Sequence, residues 1–343
     1  MQVPYTGIAS LHPLVDHAGP MARTIEDTAT LLSVLAGYDG MDPRMTPETP
    51  VRSQVSNYRQ DLESWIEDKR SRSEWTSTTA SKGLKIGILR EAFEIARLES
   101  SVEFALKAAI DRFKALGADV QEVSVPMHKH GGAIWTVATR PLIAHFLANK
   151  PPDLLSHTMP HVDPIPMGQE VYDAIANRNA APLNMAMNAT QMEAKYGSRL
   201  NRKAYMHVFE LRAAYDKALE GFDVLLTPVT PTVGPKIPAG AYKTAENPNG
   251  FSDDILEMLK PVIGNTLNTA PFNVSGHPAM SMPVGWGRTE HGKGRLPVGL
   301  QLVAKRWDEA SIFKAAKSWE VGGSWKDNLC DTALIGFEIR RYE

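Results

Sequence analysis

The sequence is poor in cysteine, in net charge and in long apolar runs. Cys330 is the only cysteine among 343 residues, so no internal disulfide can form and a reducing compartment is allowed. No motif surrounds it, which favours an ordinary thiol over a nucleophile. The formal net charge of −2 argues against nucleic acid or an anionic membrane surface as the main partner. No run reaches the roughly 18 apolar residues of a membrane-spanning helix.

What remains is the composition of an ordinary globular protein. Hydrophobic residues make up 43% and charged residues 22% of the chain, which argues against wholesale disorder. Residues 1–7 lack the basic and apolar stretches of a secretory leader, so we expect a cytoplasmic protein. The length suits a single domain over residues 1–343.

Strand and helix patterns alternate along the chain and predict an α/β fold. The clearest unit is a strand at 84–89, a helix capped by Ser100 and Ser101, and a strand at 120–125, typical of a parallel pair. Capping residues also predict helices after Thr24, with Ile25, Ala29, Leu32 and Leu35 on one face, and after Asp308. Further short strands are predicted at 223–228, 279–283 and 298–303, with a glycine-rich turn at 285–294.

Two segments carry weaker patterns. Residues 38–83 are polar and broken, and predict a surface excursion. Residues 126–200 are interrupted by prolines and hold several methionines, and predict an insert of short helices and loops that walls a pocket.

Common catalytic and binding motifs are absent. The sequence contains no phosphate-binding glycine loop, no H-E-x-x-H and no G-x-S-x-G. His157 and His161 have the spacing of two ligands on one helix face, but Pro160 between them would break that helix. His128 and His130 are interpreted as loop histidines. No cofactor or metal site is therefore predicted.

Two further groupings also have ordinary explanations. Asp16 and His17 are adjacent, and adjacent residues on a strand point to opposite faces. Ser324 follows two glycines after the last predicted helix, which is typical of a terminal turn. Residue types and spacing alone thus define a globular α/β protein without a complete catalytic constellation.

Several blocks of the chain nevertheless resemble the amidase signature hydrolases. In chain order they are VPYTGIAS (3–10), DHAGPMARTIED (16–27), DVLLTPVTP (223–231), PFNVSGHPAMSMP (271–283) and LPVGLQLV (296–303). The resemblance implies a mixed, twisted central sheet covered by helices on both sides. It also implies hydrolysis of a carboxamide to a carboxylate and ammonia or an amine, by a serine, a cis-serine and a lysine.

The chain departs from the family pattern at its start. In the family, the lysine and the loop that carries both serines precede the V-P-Y-T-G block, and this chain begins at that block. We therefore expect an amidase-signature fold with its N-terminal part missing, and we assign no catalytic residue and no substrate-binding residue. The blocks are given structural roles, with Gly19, Gly276 and Gly299 in tight backbone passages, Pro20 and Pro283 ending elements, and Arg23 pairing locally.

The resemblance is nearest to the C-terminal two-thirds of broad-substrate amidases, including those of nitrile breakdown. Amidotransferase subunits of the family usually carry an acidic residue where this chain has Thr266. That difference, with the methionine-rich stretch at 185–192, favours a small uncharged amide as substrate. The family is often dimeric, so a homodimer is expected.

Three functional hypotheses follow. The first is an amidase portion that is inactive alone, and the second is a catalytically inert homologue that serves as a scaffold or binding protein. The third is a hydrolase with a new constellation built on Ser281 or His277. The reading frame upstream of Met1 distinguishes the first two, because a lysine and a serine-rich loop encoded there would support the first.

Overall fold

The computed structural model describes residues 2–8, 12, 15–42, 44–147, 168–176, 181–235, 264–289 and 294–328. Five strands form one sheet, β1 (Lys85–Leu89), β2 (Asp119–Val123), β3 (Val224–Pro228), β4 (Ala279–Arg288) and β5 (Arg295–Ala304). The described helices are α1 (Ile25–Leu35), α2 (Tyr58–Ser71), α3 (Arg90–Glu94), α4 (Ser100–Ala115), α5 (Gly131–Leu147), α6 (Gln169–Ala176), α7 (Ala181–Tyr196), α8 (Ser198–Leu219), α9 (Ala270–Ser275) and α10 (Glu309–Glu320).

The sheet is mixed, in the order β2-β1-β3-β5-β4. Ile86 of β1 pairs in parallel with Val120 on one side and Val224 on the other. The hairpin of β4 and β5 is antiparallel and joins the sheet through β3. The parallel pair predicted for residues 84–125 is confirmed, and so is the mixed sheet.

Helices cover both faces of the sheet. Neighbouring residues of a strand point to opposite faces, so a buried strand contributes alternately to the core on each side. Val224 and Leu226 belong to a core cluster shared with α1, α2, α4 and α10. Leu225, between them, belongs to a second cluster with α5, α8 and α9. All three side chains are fully buried, as expected for a central strand.

Two of the three predicted helix caps are confirmed. The Thr24 hydroxyl accepts a hydrogen bond from the Asp27 amide at 3.0 Å, and the Asp308 carboxylate accepts one from the Ser311 amide at 3.2 Å. The cap at Ser100 is wrong, because α4 begins at Ser100 itself and Glu99 occupies the capping position. The predicted inward face of α1 is also wrong at its end, since Leu35 is 45% exposed.

The segment 38–83 differs from the predicted excursion. It contains the fourteen-residue helix α2, whose Tyr58, Leu62 and Ile66 are buried against α1 and α10. Most of its other side chains are charged, and these diluted the apolar signal in the sequence.

The C-terminal strands are longer than predicted. Both β4 and β5 have ten residues, so the predicted glycine-rich turn at 285–294 begins as paired strand, up to Arg288. Pro283 therefore lies inside β4 instead of ending it.

The insert expected at 126–200 consists, where described, of longer helices than predicted. Helix α5 has 17 residues and α7 has 16. Met187 on α7 is 72% exposed, so this methionine does not fill a core. Among the described residues, no helix has the length and apolar character needed to cross a membrane.

Candidate functional site

Five buried polar side chains meet where β1 and β3 end, and we call this group the Asn268 junction. It consists of His128, Tyr215, Thr227, Asn268 and Gln301, each at most 5% exposed. They come from a short 3₁₀ turn, from α8, from β3, from the turn before α9 and from β5. The carboxyl ends of parallel strands are the usual place for ligand sites in α/β proteins, so this is the candidate site.

Asn268 holds the junction together with both ends of its amide and with its backbone. Its Oδ1 lies 2.9 Å from His128 Nε2, and its Nδ2 donates to the Ala92 carbonyl at 3.0 Å. Gln301 Nε2 donates to the Asn268 carbonyl and to Thr227 Oγ1, both at 2.9 Å. The turn before α9 is thereby bonded to the segments that follow β1 and to β3 and β5.

The proton positions in the junction follow from this network. Asn268 Oδ1 is an acceptor, which assigns the hydrogen to His128 Nε2, so His128 Nδ1 accepts from the Tyr215 hydroxyl at 2.6 Å. Burial lowers the pKa of His128 and raises the pKa of Tyr215 well above its usual value. Both groups are therefore neutral at pH 7, and His128 is a buried network member where the sequence predicted a loop histidine.

A second hydrogen-bonded chain adjoins the junction through Tyr215. His277 Nδ1 lies 3.0 Å from Ser275 Oγ, and His277 Nε2 lies 3.2 Å from Asp216 Oδ1. The Tyr215 and His277 rings meet edge to face, with centroids 5.5 Å apart. Arg306 also approaches the Asp216 carboxylate, at 3.4 Å. We call Ser275, His277 and Asp216 the Ser-His-Asp chain.

The Ser-His-Asp chain has the connectivity of an activated serine but not its accessibility. Ser275 is fully buried at the end of α9, and His277 is 5% exposed. Burial lowers the pKa of His277 to about 4, while Asp216 acts in the opposite direction. A nucleophile must reach a substrate carbonyl, and this hydroxyl does not face solvent. The hydrogen bonds of the Ser-His-Asp chain instead link α8, α9 and the start of β4.

The third functional hypothesis from the sequence builds a new constellation on Ser281 or His277. Ser281 is exposed on β4, and the hydroxyl bonded to His277 belongs to Ser275. Sequence reasoning missed Ser275, although its position two residues before His277 in the S-G-H run was the available signal. Thr266 lies in the turn before α9, where its carbonyl accepts from the Ala270 amide at 2.8 Å.

The structural roles predicted for the family-like blocks hold in part. Gly276 ends α9 with φ of 76°, and a Cβ at Gly299 would lie 3.0 Å from Val229 Cγ2. A Cβ at Gly19 would meet nothing within 4 Å, so the tight passage predicted there is wrong. Arg23 is exposed and has no bonded partner in the described part of the chain.

In the part of the chain that the structure describes, we find neither a cluster of metal ligands nor a lysine in contact with a serine hydroxyl. No group of three or more His, Cys, Asp or Glu residues is placed to hold a metal ion there. The ion-paired lysines of the same residues contact carboxylates, and none contacts a serine hydroxyl. His157, His161 and Cys330 lie outside the described residues.

Comparison with known proteins places this architecture in a family of hydrolases. The family model described as Amidase matches residues 1–313. An enantioselective amidase of Rhodococcus rhodochrous is 30% identical over 91% of this chain and 54% of its own length. A glutamyl-tRNA(Gln) amidotransferase subunit from Synechococcus sp. is 29% identical over 92% of this chain and 56% of its own length. The chain belongs to the amidase family.

Solved structures agree on the fold. A glutamyl-tRNA(Gln) amidotransferase subunit from Thermotoga maritima matches with a TM-score of 0.61 and 22% identity, covering 93% of this chain and 55% of that one. Peptide amidase of Stenotrophomonas maltophilia matches with a TM-score of 0.58 and 21% identity, covering 93% and 56% respectively. The chain thus spans about half the length of the relatives that it matches, and the predicted amidase-signature fold is confirmed.

Proposed function

We propose that this chain forms the sheet-completing and pocket-walling portion of a carboxamide hydrolase and hydrolyses no amide by itself. The observation that carries the proposal is the state of the Asn268 junction. Both ring nitrogens of His128 are hydrogen-bonded to neighbouring side chains, as is the Gln301 amide, and the histidine and the tyrosine are both neutral. Such a network fixes backbone positions at the strand ends, and it occupies the lone pair of His128 Nδ1, the atom that would act as a base, with the Tyr215 hydroxyl.

Amide hydrolysis needs a nucleophile, a base that activates it and donors for the oxyanion. The Ser-His-Asp chain could supply the first two only if Ser275 became accessible, and its hydroxyl is sealed at the end of α9. In the family the reaction is carried by a serine, a cis-serine and a lysine, and we transfer none of these roles to a residue of this chain. The proposed role is therefore to position other groups.

The proposed substrate of the complete enzyme is a small uncharged amide. The neutral Thr266 in the turn before α9 supports this choice, because a carboxylate at that place would suit a substrate ammonium. The first of the relatives named above is described as an enantioselective amidase, which is consistent with it. A cytoplasmic location is part of the proposal, since the single cysteine suits a reducing compartment.

The test combines turnover with covalent labelling of this chain. We expect no ammonia release from benzamide or from glutamine above the rate in buffer, and no labelling by a serine-directed fluorophosphonate. Ser275→Ala and Ser281→Ala serve as matched variants, one for the buried hydroxyl and one for the exposed hydroxyl. Labelling that disappears in either variant would overturn the proposal and assign a nucleophile to that serine.

A further inference from the structure

Helix α5 carries a concentration of buried donors without acceptors. Within the described part of the chain, the buried side-chain polar atoms without a hydrogen-bond partner are Gln2 Oε1 and four atoms of α5. These four are Trp135 Nε1, Thr139 Oγ1, Arg140 Nε and Arg140 Nη1. The indole and guanidinium nitrogens can only donate, and the hydroxyl can donate as well. The local excess is thus one of donors.

Trp135 and Thr139 lie on one face of the helix, and Arg140 lies on the adjoining face. At 100° per residue, Trp135, Thr139 and Arg140 fall within an arc of about 140°. Thr139 is fully buried, while Arg140 keeps partial exposure although its Nε and Nη1 are sealed from solvent. The guanidinium therefore lies at the border between interior and solvent, with Nε and Nη1 on its inner side.

The guanidinium charge is also uncompensated. Burial lowers the pKa of Arg140, and no acidic side chain among the described residues raises that pKa again. The fully buried Arg44, by contrast, is paired with Asp42 at 2.9 Å. A partly desolvated cation without a counter-charge is costly, and groups perturbed in this way are found preferentially at functional sites. The missing complement of Arg140 is an anionic acceptor.

We propose that α5 forms a binding site for a small monocarboxylate, with Arg140 as its charged anchor and Trp135 and Thr139 as further donors. A carboxylate is the anion that fits best, because it is planar, carries one charge and accepts several hydrogen bonds from a guanidinium. A neutral amide would accept hydrogen bonds from the donors but would leave the Arg140 guanidinium without a counter-charge. The site does not depend on the proposed function, because its test measures binding and requires no turnover.

The first test is thermal unfolding of this chain with sodium benzoate or sodium acetate, against sodium chloride at the same ionic strength. We expect Tm to rise with carboxylate concentration as ligand binding stabilises the folded state, and not with chloride. Arg140→Gln should bind benzoate about tenfold to a hundredfold more weakly in calorimetric titration. Arg202→Gln, at an exposed arginine of α8, is the matched control and should bind as the unaltered chain does.

Two further variants keep the test decisive. Arg140→Lys keeps the charge and loses the planar fork, so it should bind benzoate more weakly than the unaltered chain, and this result decides the matter if Arg140→Gln does not fold. Trp135→Phe keeps the ring and removes one donor, so it should weaken binding by about twofold to tenfold. Equal binding by the unaltered chain and Arg140→Lys, or no carboxylate response beyond that of chloride, would overturn the site.

Discussion

Three described histidines are buried in neutral form, and their burial makes stability depend on pH. Burial lowers the pKa of His12 and of His277 to about 4, and it also lowers the pKa of His128. The unfolded chain therefore takes up protons at a higher pH than the folded chain. The stabilisation is fully present above pH about 6.5 and is lost as the pH falls towards 4.

We predict that removing His277 flattens this acid response. Between pH 7 and pH 4 the free energy of unfolding falls in both proteins. For His277→Gln we expect this fall to be smaller than for the unaltered chain by on the order of 1–3 kcal/mol. Urea unfolding at a series of pH values measures the difference. His130→Gln is the control, because His130 is exposed and lies in the same 3₁₀ turn as the buried His128. Identical acid responses of His277→Gln and the unaltered chain would contradict the assignment.

Asn268 provides a second prediction at the scale of the residue. Asn268→Ala leaves His128 Nε2 and the Ala92 carbonyl without their partners inside the core. We expect a loss of about 2–4 kcal/mol of unfolding free energy, because each buried polar group left unpaired costs about 1–3 kcal/mol. Asn273→Ala, at an exposed position of α9, should change stability by less than about 0.5 kcal/mol. Comparable losses in both variants would contradict a stabilising role for the hydrogen bonds of the Asn268 junction.

Among the elements, α5 shows how a proline is accommodated inside a helix. Pro141 has no N–H, so the Val137 carbonyl one turn earlier loses its helical partner. Asn201 of α8 supplies the replacement, since its Nδ2 donates to the carbonyls of Val137 and Ala138, both at 2.9 Å. The irregularity in one helix is thus repaired by a side chain of another.

A double-mutant cycle tests this repair. We predict that Asn201→Ala costs about 1–2 kcal/mol in the unaltered chain and clearly less in the presence of Pro141→Ala, which restores the helical N–H donor. Chemical denaturation of the four proteins measures the coupling free energy. Additive effects would show that Asn201 does not compensate for the proline.

Elements with strong local signals were predictable from the sequence, and the polar clusters were not. The strand at residues 84–89 and the caps at Thr24 and Asp308 depend on neighbouring residues, which the sequence displays directly. Helix α2 was missed because only every third or fourth residue is apolar within a highly charged run. The Asn268 junction joins residues from five separate parts of the chain, and no local pattern specifies such proximity.

At the scale of the whole molecule, an apolar stripe remains on the outside of α1. Leu31, Val34 and Leu35 follow the helical spacing of three and four residues, Tyr38 lies just beyond the end of the helix, and each of the four is at least 39% exposed. Contiguous exposed apolar surface of this kind favours association in water. The homodimer expected from the sequence stays a prediction, and this stripe is where we expect contact between copies.

We predict that this chain self-associates and that a charge in the stripe opposes the association. Val34→Glu should shift sedimentation towards the monomer at a given concentration, because the carboxylate would have to be desolvated in the contact. Asn273→Glu places the same charge at an exposed position of α9, which packs on the other face of the sheet, and should leave the distribution unchanged. A sharp melt of a monodisperse monomer, or equal effects of both variants, would exclude the stripe as the contact.

The pairing of β1 with two partners has a consequence for the order of folding. Only α3 and α4 lie between Ile86 and its partner Val120 in the sequence. All of the helices from α3 to α8 lie between Ile86 and its other partner, Val224. Because closing a longer loop costs more chain entropy, β1, α4 and β2 should assemble early and β3 should join late. On the ribosome, the first parallel pair would emerge well before its third strand, and the unpaired side of β1 would stay exposed during that interval.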